Sequence, residues 1–219
     1  MKAKAIKALV LAVCAVLLVI STVFATMAFL TSTTNPIQNT FTVGNVQITL
    51  DEAKVDEYGN PVDPAQRTKP DDVQNVYRLI PGHTYTKDPT VTVVQNSEDC
   101  YVYAKVTIEG FDTLRTACNK PNMLPQEIIN DWKASEWECT SYTVDDGNAV
   151  CMFTYTSKVE RNKNEATKLP ELFQSFTLPG AVEYNAELAT IKVSVIAYAV
   201  QADGFNNAAE AWNAAFANS

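Results

Sequence analysis

The sequence predicts an all-β protein, an antiparallel β-sandwich with a short helical insertion and a short C-terminal helix. Many short alternating apolar segments recur between turn-forming residues, as in sandwiches and barrels. A helical period appears in only two places, around 121–135 and 207–216. The run "TIKVSVIAYAV" (190–200) is nearly all apolar, as a strand in the middle of a sheet must be.

Taken in order, the chain of 219 residues opens with Lys2, Lys4 and Lys7, followed by the apolar run "ALVLAVCAVLLVISTVFA" and by small residues. That is the tripartite pattern of an export signal, expected over 1–27, with cleavage in the region of Ala25, Met27 and Ala28. The apolar run is long enough that an uncleaved anchor is the alternative. A leader over 28–40 precedes a single domain over 41–219.

In "NTFTVGNVQITLDE" (39–52), Phe41 and Val43 share one parity and Val46, Ile48 and Leu50 the other. Gly44 between them reads as a β-bulge that brings both halves onto one face, or else as a tight turn. Residues 51–75 hold Pro61, Pro64, Pro70 and many acids, and read as a long loop, either functional or disordered. Strands are expected at 76–80 and 90–94, separated by a turn at Pro81–Gly82. "CYVYAKVTIE" (100–109) is the cleanest strand: Val102, Ala104, Val106 and Ile108 on one face, Tyr101, Tyr103, Lys105 and Thr107 on the other.

Leu124, Ile128 and Trp132 recur every four residues, which predicts a helical insertion over about 119–138 with Pro125 near its first turn. "WECTSYTV" and "AVCMFTYTSKV" flank "DDGN" as a hairpin. After the polar loop "ERNKNEATK" come a short strand in "LFQSFTL" and the long run at 190–200. Asn207 and Glu210 form a capping-box pattern for a last helix, whose Ala208, Trp212, Ala215 and Phe216 share one face, Trp212 packing on the edge of the sandwich.

The formal charge of −8 becomes −11 without Lys2, Lys4 and Lys7, which argues against a nucleic-acid partner. Of five cysteines, Cys100, Cys118, Cys139 and Cys151 follow the signal. An even count in an exported chain leads us to expect two disulfides, with three pairings open and Cys118–Cys139 a way to staple the insertion. Free thiols are the alternative. A metal site is disfavoured by the absence of CxxC spacing and by a single histidine, His83.

A catalytic triad or Cys–His pair could use only His83, which follows a turn glycine where a solvated side chain is the ordinary case. HExxH is excluded, and no glycine-rich phosphate loop is present. The acids of "DEAKVDE" and Asp71–Asp72 read as solvated charge, with weak calcium binding as the sharper option. No catalytic, cofactor or metal residues are therefore assigned, and no enzyme activity is expected. The sequence carries neither an LPxTG sorting signal nor an apolar C-terminal tail.

Several stretches together resemble the TasA/camelysin family of Gram-positive exported proteins, which are processed by a SipW-type signal peptidase. They are "ATMAFLTSTT", "NTFTVGNVQITLDE", "LIPGHTYTKDPTVTVVQNSEDCYVYAKVTI" and "AYAVQADGF". The likeness covers the first 110 or so residues and the last 30 or so, and the middle departs from it. It implies a jelly-roll-like sandwich, secreted to the biofilm matrix or cell surface and membrane-bound only before signal cleavage. It also implies head-to-tail assembly with itself or with related matrix proteins. The mature N-terminal segment would be the donor strand, here Phe29 through Ile37 with Phe29 and Leu30 as its large apolar residues; a flexible leader is the alternative. A monomeric secreted binding or adhesin module is the second reading. The metallopeptidase label of some members is not carried over, since no zinc-ligand pattern is present.

Overall fold

The computed structural model describes residues 45–62, 66–68, 75–180 and 191–216. The architecture is all-β, in two antiparallel layers around one core.

The first layer has long ladders. β4 (Cys100–Glu109) pairs along its whole length with β10 (Lys192–Gln201), and on its other side with β7 (Asn148–Tyr155). β7 turns into β6 (Trp137–Asp145), giving the order β10–β4–β7–β6. Val102, Ala104, Val106 and Ile108 are at most 1% exposed, which confirms the period-two reading. Cys151 and Phe153 of β7 and Val195 and Ala197 of β10 continue that face. The β6–β7 turn places Asp146 at φ 47° and Gly147 at φ 75°, the left-handed pair that a two-residue type I′ hairpin requires.

The second layer is segmented. β1 (Ile48–Asp51) pairs with β3 (Thr90–Val93), and β3 with the two-residue β8 (Thr167–Lys168). β2 (Thr84–Thr86) pairs with β9 (Ser175–Thr177), and β9 with β5 (Ile129–Asn130). Single hydrogen bonds bridge the gaps: Lys87 N–H to Gln174 O, Leu172 N–H to Pro89 O, and Leu169 N–H to Val91 O. So 84–93 and 167–177 run side by side as one interrupted pair, and the layer has four strand positions: β1, β2/β3, β8/β9 and β5. Pro89 and Pro170 lie in the gaps, where a missing N–H breaks a ladder. Val46, Ile48 and Leu50 are buried in the shared core, with the predicted parity. Gly44 and residues 40–43 lie outside the described residues.

Besides β10, which ends its sheet among the described residues rather than lying in its middle and is apolar on both faces because Tyr198 and Val200 pack against the C-terminal helix, three sequence expectations change. Residues 76–80 form no strand; Arg78 N–H donates to Glu57 O and the Tyr77 hydroxyl to Thr86 O. The helix at 119–138 is absent. The helix here is α1 (Phe111–Ala117), started by Gly110 at φ 72°. Residues 119–138 instead make turns, a 3-10 turn at Pro125–Glu127 and β5. Asn119 and Asp131 both sit at positive φ, which breaks any helix running through them, and Ile129 and Asn130 pair with β9 instead. Third, α2 (Ala208–Phe216) packs on the outer face of the first layer rather than on an edge. Trp212 lies 4.9 Å from the Tyr103 ring and 5.5 Å from that of Tyr198, and the Tyr103 hydroxyl donates to Ala208 O at 2.6 Å. Its cap uses Asn207 Oδ1 for the Glu210 N–H, while the Glu210 carboxylate turns back to Asn206 rather than Asn207.

Candidate assembly edges and the groups around them

A β-sandwich offers partners its sheet edges, where backbone N–H and C=O groups point outward. Among the described residues the first layer ends in β10 and β6, the second in β1 and β5. β1 and β10 approach each other, so that side of the sandwich is drawn together. β5 is two residues long. β6 is the extended edge: nine residues, mostly exposed from Glu138 to Asp145. A bulge between Cys139 and Ser141 interrupts it, leaving Ser141–Asp145 in unbroken register with β7. Glu138, Asp145 and the bulge are features that blunt an edge against indiscriminate pairing.

The described residues of the acidic segment after β1, 52–62 and 66–68, are fastened down. Ala53 bridges Arg67 and Val55 bridges Pro61, so the chain makes an irregular hairpin. Its turn is closed by Asp56, whose carboxylate accepts from the Tyr58 and Asn60 N–H groups; these bonds hold its pKa below the aspartate norm. Arg67 pairs with Asp51 and with Asp88 (2.6 Å), and donates to Thr90 Oγ1 at 3.0 Å. Lys87, 8% exposed, pairs with Glu52 at 2.6 Å. Asn75 donates to Glu52 and to Ala53 O, and accepts from the Val55 N–H. Gly59 sits at φ 77°, and a Cβ there would come within 2.7 Å of Tyr85 Cα. Sequence reading missed this network. No local pattern set Arg67 and Lys87 apart from the other cations of this acidic stretch.

His83 lies beside this hairpin. Its Nε2 is 2.7 Å from Tyr58 O and its ring meets Tyr85 edge-on. Tyr85 in turn stacks on Phe176, and Tyr77 packs edge-on to both. No nucleophile shares a hydrogen bond with His83 among its described contacts. Among the described residues no three His, Cys, Asp or Glu side chains converge as a metal site, and no helix is long and apolar enough to cross a membrane.

All four cysteines are free thiols, so the expected two-disulfide framework is not formed. Cys100 opens β4 and Cys118 follows the helix at its far end. Ten strand residues span about 30 Å, and a seven-residue helix of about 10 Å cannot bring Cys118 back. The Cys118–Cys139 staple is not made either: Cys118 lies near Lys120 and Glu127. Burial raises all four thiol pKa values, Cys100 and Cys151 to about 12. Ala25, Met27, Ala28, Phe29, Leu30 and Ile37 lie outside the described residues.

Comparison of the chain with protein-family models, with curated proteins and with solved structures found no match.

Proposed function

We propose that this chain is an exported structural protein of the biofilm matrix or cell surface, of the TasA/camelysin type. Copies assemble head to tail, the segment Phe29–Ile37 of one adding as a strand to the β6 edge of the next. The observation that supports this most is the pairing of two features. The threonine-rich stretch "FLTSTT", of strand propensity, follows directly on an export-like segment, and among the described residues the sandwich keeps an exposed edge at Ser141–Asp145. Added strands gain main-chain hydrogen bonds along an edge and side-chain contacts at alternate positions. Cleavage near Ala28 frees the donor end, since a tethered N-terminus cannot reach a neighbour.

Electron microscopy and light scattering of protein beginning at Ala28, beside protein beginning at Thr40, test the proposal. Fibres from the first and monomers from the second are expected. Monomers from both, at high concentration and across pH, would replace it with a monomeric binding module.

A further inference from the structure

The four thiols differ in what lies next to them. Cys139 faces Phe153 across the β6–β7 ladder, and Tyr142 faces Cys151. Cys151 and Phe153 are two residues apart on β7, so they point to the same face, and Cys139 and Cys151 are diagonal neighbours on adjacent strands. Both belong to the core side of the layer. Consistently, the Cys139 thiolate is a charge that raises the Cys151 pKa further, after burial.

Both pairings of Cys100 with these two fail on distance. Cys100 is separated from Cys139 by two strand spacings, about 9–10 Å, against a span of about 4.4–6.8 Å for a disulfide. It is also six or so residues along the β4–β7 ladder from Cys151, about 20 Å, because Tyr103 already pairs with Thr154.

We propose that Cys139 and Cys151 are a cross-strand dithiol, closed into a single disulfide by a low-molecular-weight disulfide oxidant, with Cys100 and Cys118 left as thiols. Regular diagonal neighbours lie about 7–8 Å apart at Cα, about 1 Å beyond disulfide reach. Cys139 adjoins the bulge and belongs to a strand with one neighbour, so closing that gap shifts only the free edge. The two thiols have separate parts. Cys139 is half-buried, its Sγ donating to Ser141 O at 3.5 Å, and is the one an oxidant reaches. Its thiolate attacks one sulfur of the oxidant, forming a mixed disulfide and releasing one small thiol. Cys151, 1% exposed, then loses its proton and attacks Cys139 Sγ, releasing the second. Two protein thiols are oxidised and one small disulfide is reduced to two thiols.

The test is treatment of the full chain with oxidised glutathione, blocking of remaining thiols, and mapping after digestion at aspartate. Cleavage at Asp145 and Asp146 opens the hairpin between the two cysteines. A peptide joining Cys139 to Cys151 is expected, with Cys100 and Cys118 fully blocked. Cys139→Ser should leave Cys151 a thiol, and Cys151→Ser should trap glutathione on Cys139. Retention of all four thiols, or a bond to Cys100 or Cys118, would overturn the proposal. So would loss of the Cys151 thiol in Cys139→Ser, a substitution at a half-exposed site.

Discussion

The layer β10–β4–β7–β6 and the layer facing it line the same core by different means. The first is held by ladders of six to ten residue pairs, interrupted only by the bulge in β6. The second has no strand longer than four residues. Where its ladders break, side chains take over: Arg67 ties β1 to the β2–β3 corner through Asp51 and Asp88, Lys87 reaches Glu52, and Tyr77, Tyr85 and Phe176 fill the space below. The lesson is that interrupted strands need long-range polar fasteners, whereas continuous strands need only their backbone and apolar period.

This contrast is open to attack by substitution. The largest effect is expected at Ile108, fully buried in β4: Ile108→Ala should cost about 2–5 kcal/mol, read as a lower urea midpoint for the whole domain. Next is Trp212→Ala. It removes the ring that clamps α2 onto Tyr103 and Tyr198, for about 1.5–3 kcal/mol, and should free α2 in hydrogen exchange before the sandwich opens. Arg67→Ala takes the cation from Asp51 and Asp88, of which Asp88 keeps the Ala53 N–H, for about 1–3 kcal/mol. Its exchange signature should fall on β1 and β3 and spare β4; equal loosening of both layers would refute the division of labour.

The smallest effect is electrostatic. Asp99 accepts from Lys158 Nζ at 2.6 Å and from the Arg161 N–H at 2.9 Å, and these bonds hold its pKa below the ordinary aspartate value. A carboxylate with a depressed folded pKa contributes stability above its unfolded value, and that contribution is lost as pH falls through the folded one. Stability should therefore drop on acidification below about pH 4, and Asp99→Asn should flatten part of that drop in urea midpoints. The pair is exposed, so its share is slight.

The same contrast governs what the sequence discloses. β4 and β7 are legible because their side chains alternate over eight to ten residues, β10 because its run is nearly all apolar, and the Asp146–Gly147 turn because only such residues take positive φ cheaply. Two-residue strands such as β5 and β8 carry no period, so they were invisible, and the spacing of Leu124, Ile128 and Trp132 mimics a helix. In fact Ile128 and Trp132 flank β5 and serve opposite ends of a turn-rich crossing; the Trp132 ring lies 4.5 Å from Phe153, not on a helical stripe. The pairing of Arg67 with residues 16 and 21 positions away has no local signature at all. The β6 edge, by contrast, follows from sheet order, which no segment states alone.

The measurement that bears most directly on assembly is amide hydrogen exchange along β6, in protein beginning at Ala28 at assembling concentration and in protein beginning at Thr40. Strand addition predicts slowed exchange across Ser141–Asp145 in the longer protein alone, with β4 unchanged. Fibres whose β6 amides exchange as fast as those of the shorter protein would contradict it.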